Sequence, residues 1–179
     1  MNFIIDEMAN QVCFDKEIQL FQLLNLISPE AYAQHPNKYR QVDVQVGNHL
    51  CPSSKDVPFL VNELFYRLTQ INNPIIKAIY LHHELIRIHP FADGNGRVTR
   101  MAKNWILMYY LYPPIFIKDT LFKKEYVDTL SKSFYSLYRE PNQWNDNVNI
   151  FFEQEIDRII TNCEEIYCVV YNAGSKRKL

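Results

Sequence analysis

Glycine is scarce, with only four in 179 residues, and no Gly- or Ser-rich linker, repeat or low-complexity run divides the chain. A chain of this length therefore reads as one domain over 1–179, large enough to bury roughly 70% of its unfolded surface. An excess of charge of either sign is also missing. Nineteen Lys+Arg stand against 20 Asp+Glu, a net charge of -1, and hydrophobic residues make up 47%, so neither a broadly basic nucleic-acid binder nor a disordered chain is favoured. No apolar run approaches the ~18 residues of a membrane span, and the start MNFIIDEMANQ lacks the cationic opening and small-residue cleavage site of a signal peptide. The expectation is a soluble, cytoplasmic protein with neither membrane nor nucleic acid as a partner. The four cysteines, Cys13, Cys51, Cys163 and Cys168, contain no CxxC pair, so buried reduced thiols are expected.

Helical spacing dominates what is there. Apolar residues recur at three- and four-residue steps from Ile18, over Val57–Leu68, from Pro74 to about Ile88, from Val98 to about Leu111, over Lys123–Leu137 and over Asn149–Tyr171. The fold class is mostly α. One segment departs from this period. Tyr39–Val46 alternates, with Val42, Val44 and Val46 on one side and Gly47-Asn48 as a turn signal, which predicts a half-exposed strand and a small hairpin flap over about 39–50. The tail Ser175–Leu179 reads as a solvated end.

Two of the four glycines fall together in His89–Arg100, HPFADGNGRVTR. A loop running into a helix start offers backbone N–H groups and the positive end of the macrodipole, and Gly94 and Gly96 let that backbone approach an anion. The segment reads as a phosphate cradle. Arg97 and Arg100, three residues apart, share a helix face and oppose the dipole, a conflict that a bound phosphate would relieve. Asp93 is a hard oxygen ligand suited to Mg2+ shared with substrate phosphates. His89 has the ordinary pKa for accepting a proton from an attacking hydroxyl. Phe91 is apolar within a polar loop and is expected to anchor it in the core. The bland alternative is a helix-capping His89, an ordinary turn at Asp93–Gly96 and arginines paired with surface carboxylates; each residue fits it alone, the combination poorly. A zincin fails on register, since His83-Glu84 is followed by Arg87 where the second His must stand, and no GxxxxGK[ST] string exists.

The segment resembles the signature of the Fic family, HPFx[DE]GNGRxxR, which His89–Arg100 matches without a departure. The resemblance extends over about Lys38–Phe152, where KYRQVDVQVG is similar to the family's flap and RMAKNWILMYYLYPP to the helix and turn after the signature. It implies a helical fold with a flap over the active site and transfer of AMP from ATP to a Ser, Thr or Tyr hydroxyl of a target protein. By position it implies His89 as general base and Asp93 as Mg2+ ligand. Asn95 with the backbones of Gly94 and Gly96 would hold the phosphates, Arg97 and Arg100 would contact them, and Val42, Val44 and Val46 would dock the target. Doc-branch members, which phosphorylate, carry Lys in place of the second glycine; Gly96 stands here. Removal of AMP, or a nucleotide-binding toxin-like or regulatory module working with a partner, are the alternatives. Many members are restrained by [ST]xxxE[GN], whose Glu pairs with the second signature Arg. Here Ser136–Glu140 is followed by Pro141, leaving Thr161 and Glu165 in the carboxyl-terminal stretch (about 149–171), with Ile166 departing from the motif. An antitoxin-like inhibitor is the other possible source of restraint. Target, nucleotide preference and oligomeric state are not written in the sequence.

Overall fold

The computed structural model describes residues 2–116, 120–139 and 144–175, with side chains to 171. Residues 176–179 of the tail and the Glu140–Pro141 pair lie outside them. Among the described residues there are eight helices and one two-stranded antiparallel sheet: α1 Asn2–Ala9, α2 Ile18–Ile27, α3 Pro29–Gln34, β1 Gln45–Val46, β2 His49–Leu50, α4 Val57–Gln70, α5 Pro74–Ile88, α6 Asn95–Tyr109, α7 Thr120–Arg139 and α8 Asp146–Ser175. The chain divides into two compact units, Met1–Tyr110 and Leu111–Leu179.

In the first unit α5 is the central helix. Asn73 starts it by accepting from the N–H groups of Ile75 at 2.9 Å and Ile76 at 3.1 Å, with Pro74 pre-set for the first turn. Ala78, Ile79, Leu81, His82, Leu85 and Ile88 bury residues on more than one stripe, as a helix covered on several sides requires. It packs on α4 and α6. From α6, Val98, Ala102, Trp105 and Ile106 are buried. Trp105 has Phe14 and Phe3 edge-on at 5.4 and 5.7 Å and donates to the Val12 carbonyl at 3.0 Å, so truncating it to Ala would cost about 3–5 kcal/mol. The start of α2 is closed by Gln19, whose Oε1 accepts from the N–H groups of Asp15 and Lys16.

In the second unit α7 packs on α8. Tyr126, Leu130 and Phe134 are buried on one helix, and Val148, Phe151, Phe152 and Ile159 on the other.

The flap is shorter than the alternation predicts. Only Gln45–Val46 and His49–Leu50 pair, in the register Gln45 to Leu50 and Val46 to His49, whereas Tyr39–Val44 has no strand pairing. That stretch is held instead by its buried side chains Tyr39 and Arg40 and by the Arg40 N–H on the Pro90 carbonyl at 2.9 Å. Val42 is 64% and Val46 43% exposed. The cysteines are all free, and only Cys51 is buried, Cys168 being exposed. The short helices α1 and α3 have too few periodic positions to be read from the sequence.

Candidate active site

The loop between α5 and α6 gathers the signature residues in the first unit. His89 ends α5 in a left-handed turn, φ 54° and ψ 61°, its N–H on the Leu85 carbonyl. This is a costly conformation for a side chain larger than glycine. Nδ1 is buried, which leaves Nε2 as the nitrogen that an incoming hydroxyl could reach. Burial lowers the ring's pKa. The Ile86 carbonyl opposes that shift, Arg40 and His49 add to it, and Asp93 opposes it.

Phe91 is 2% exposed and packs against Phe21 at 5.7 Å and Tyr39 at 5.9 Å. Its backbone is clamped by Asn95, whose Oδ1 accepts from the Phe91 N–H at 2.8 Å while Nδ2 donates to the Phe91 carbonyl at 2.7 Å. Both ends of the Asn95 amide are thus engaged inside the loop, and its side chain fixes the loop's shape.

Gly94 caps α6 at φ 83° with no side-chain cap on the helix. The N–H groups of the first turn are open to an anion. A β-carbon on Gly94 would lie 2.9 Å from Cδ1 of Leu24 and 3.3 Å from Cβ of Ser28, so the left-handed turn and the approach of α2 both demand glycine. Asp93 accepts from the Gly94 N–H at 2.6 Å, and its carboxylate is 73% exposed. Among the described residues no group of three or more His, Cys, Asp or Glu side chains gathers as a metal site.

The two arginines part company. Arg97 reaches across to the end of α2, donating to the Ile27 carbonyl at 3.2 Å and the Ser28 hydroxyl at 2.9 Å, with Asp93 at 3.3 Å. A cation at that helix's negative end is favourable. Arg100 instead lies along the start of α6, where a β-carbon on Gly96 would meet its Nη1 at 3.2 Å. Among the described residues of the first unit no carboxylate pairs with it, and it stands beside the open N–H groups.

The hairpin is tied to α5 by His49, whose Nε2 lies 2.9 Å from the Arg87 carbonyl. Behind it Glu84 holds Arg87 in a forked pair at 2.7–3.1 Å and sits 3.0 Å from Nδ1 of His83. Sequence reasoning missed Arg40, Ser28 and His49, none of which belongs to a local pattern. Val42, Val44 and Val46 are outside the cradle, on the flap. Thr161 and Glu165 lie in the second unit, one turn apart on α8, both exposed. They line a cavity of about 410 Å³ with Phe122, Glu125 and Arg158.

A family model described as Fic/DOC family matches residues 17–107, just over half of the chain. Curated relatives include the Protein adenylyltransferase Fic of Aedes aegypti, 36% identical over 85 residues, which cover 45% of this chain and 17% of that protein. That of Nematostella vectensis is 36% identical over 92 residues, covering 49% and 22%. Among solved structures, a Fic domain containing signaling protein from Bacteroides thetaiotaomicron superposes with a TM-score of 0.60 at 25% identity, over 71% of this chain and 52% of that one. A Fic family protein from Desulfovibrio desulfuricans gives 0.61 at 21% identity, over 94% and 51%. The chain spans about a fifth of the length of the curated relatives it matches and about half that of the solved ones.

Proposed function

This chain belongs to the Fic/DOC family, and on that premise we propose that it transfers AMP from ATP to a Ser, Thr or Tyr hydroxyl of a target protein. The observation that carries the reading is Arg100 lying over Gly96 at the uncapped start of α6, in the loop that begins at His89. The nucleotide's phosphates bind along that start, with Arg100 as counter-charge. The target hydroxyl oxygen bonds to the α-phosphorus, the bond from that phosphorus to the oxygen bridging to the β-phosphate breaks, and pyrophosphate leaves. Nε2 of His89 takes the hydroxyl proton. Mg2+ would be held by Asp93, whose exposed carboxylate fits a cation that completes its shell with phosphate oxygens. When bound it would offset negative charge on the phosphates during transfer.

ATP labelled at the α-phosphate tests the reading. Label is expected on protein with the wild type and lost by roughly 10²- to 10⁴-fold with His89→Ala, with nucleotide binding kept. Loss of label from a pre-labelled target would assign the site to AMP removal. ATP binding with neither outcome would make the chain a regulatory module. Restraint by Thr161 and Glu165 is part of the proposal; label incorporation should rise tenfold or more in Glu165→Gly, and an unchanged rate would leave restraint to a separate antitoxin-like protein or to none.

A further inference from the structure

Arg40 stands just before the flap and is 1% exposed. Burying a cation costs several kcal/mol unless it is well paired. The nearest carboxylate, Asp43, is 3.9 Å away and 64% exposed. Backbone carbonyls satisfy the guanidinium instead. Nε donates to His89 at 2.8 Å, Nη1 to Val42 at 2.8 Å, and Nη2 to Pro52 at 2.5 Å and Ile88 at 3.3 Å. The Arg40 N–H adds the Pro90 carbonyl at 2.9 Å.

Those acceptors are not scattered. Ile88 and His89 close α5, where a cation answers the negative end of the helix dipole. Val42 and Pro52 bracket the hairpin on its two sides. A single planar fork therefore joins the turn bearing His89 to both ends of the flap, and lysine, with its point charge, could not span all four carbonyls. The turn it grips needs holding, because a non-glycine residue at φ 54° is strained by roughly 1–3 kcal/mol.

We propose that Arg40 is a positioning residue: its fork fixes the His89 turn relative to the flap, so that a hydroxyl presented on the hairpin meets Nε2 of His89. It touches no reacting atom and acts through the carbonyls of Ile88, His89, Val42 and Pro52. The inference rests on the reading of His89 as the base.

Arg40→Lys and Arg40→Gln test it in the full chain. In Arg40→Lys, self-labelling from α-labelled ATP is expected to fall tenfold or more, while ATP binds calorimetrically at unchanged stoichiometry and within twofold in affinity. The titration of the His89 ring, followed by NMR, supplies a readout that needs no turnover. The charged groups acting on that ring are Arg40 and His49, which disfavour its protonated form, and Asp93, which favours it. Loss of the Arg40 charge in Arg40→Gln should move the midpoint to higher pH, whereas Arg40→Lys should move it little. A merely structural arginine would lower the unfolding temperature of both variants and leave labelling per folded molecule within twofold of wild type. Labelling within twofold of wild type in folded Arg40→Lys would overturn the proposal, as would an unmoved midpoint in folded Arg40→Gln. Should neither variant fold, the wild-type Arg40 Nε proton decides. Exchange with water as slow as that of the α5 amides is expected, and fast exchange would overturn the proposal. Transfer that survived His89→Ala would sink the assignment of the base while leaving the ring measurements to judge Arg40 separately.

Discussion

A β-carbon on Gly96 would stand 3.2 Å from Nη1 of Arg100. The absence of a side chain at 96 is what lets the guanidinium lie along the start of α6. Gly96→Ala should therefore separate stability from binding. Alanine gains up to ~1 kcal/mol of helix preference over glycine, so the unfolding temperature should hold or rise. The displaced guanidinium should weaken ATP binding by about tenfold, or ~1.4 kcal/mol. Calorimetry beside a thermal melt checks both signs, and unweakened binding would dissociate Arg100 from the phosphate site.

Gly94→Ala should behave in the opposite way. The residue is at φ 83°, and the new methyl would meet Leu24 at 2.9 Å. Strain of this kind costs about 1–3 kcal/mol, which lowers the melting temperature by roughly 2–4 °C per kcal/mol in a chain of this size. A melt unchanged within 1–2 °C would mean that α2 and the loop yield to the side chain.

The pH dependence of transfer follows from the burial of His89. Because burial lowers its pKa, the ring stays neutral, and able to accept a proton, to lower pH than an ordinary histidine. The acid limb of kcat/KM should fall below about 6.5, the unperturbed value. A limb at higher pH, measured at saturating Mg2+, would point to another base.

The hairpin register decides which flap residue pairs with a docked strand. Val44 turns its carbonyl toward the Cys51 N–H at 3.2 Å, so by the alternation of an antiparallel pair the backbone of Gln45 faces outward. If a target segment is added as a strand, Gln45→Pro removes an outward donor and should cut target labelling by tenfold or more with ATP binding intact. Equal losses in both would show that the flap serves the nucleotide instead.

Glu84 ties acid stability to α5. Burial by itself would raise its carboxyl, but the His83 and Arg87 partners override that and hold it at about 2. A depressed carboxylate stabilises the fold above its unfolded value of 4.5 and loses that contribution as pH falls toward 2. Urea melts between pH 5 and 3 should show declining stability in the wild type and a flatter, lower profile in Glu84→Gln. Parallel profiles would remove Glu84 as the titrating group.

The grouping of His89–Arg100 in one loop and most helices were legible in the chain because their causes are local. A helix writes its buried face at three- and four-residue steps, and an anion cradle needs its glycines, carboxylate and cations within a few turns. The alternation at Val42, Val44 and Val46 misled for the same reason: period two describes a strand only where a partner strand runs alongside, and here the hairpin's last hydrogen bond is that of the Val44 carbonyl. Tertiary structure alone decided the division of labour between the arginines. Arg97 finds the Ile27 carbonyl 70 residues away, and Arg40 the His89 carbonyl 49 residues away. Contacts closed over such distances leave no periodic trace. A buried arginine whose partners are main-chain carbonyls has no complementary side chain in the sequence to reveal it, since every residue carries that acceptor and only the fold chooses which ones converge.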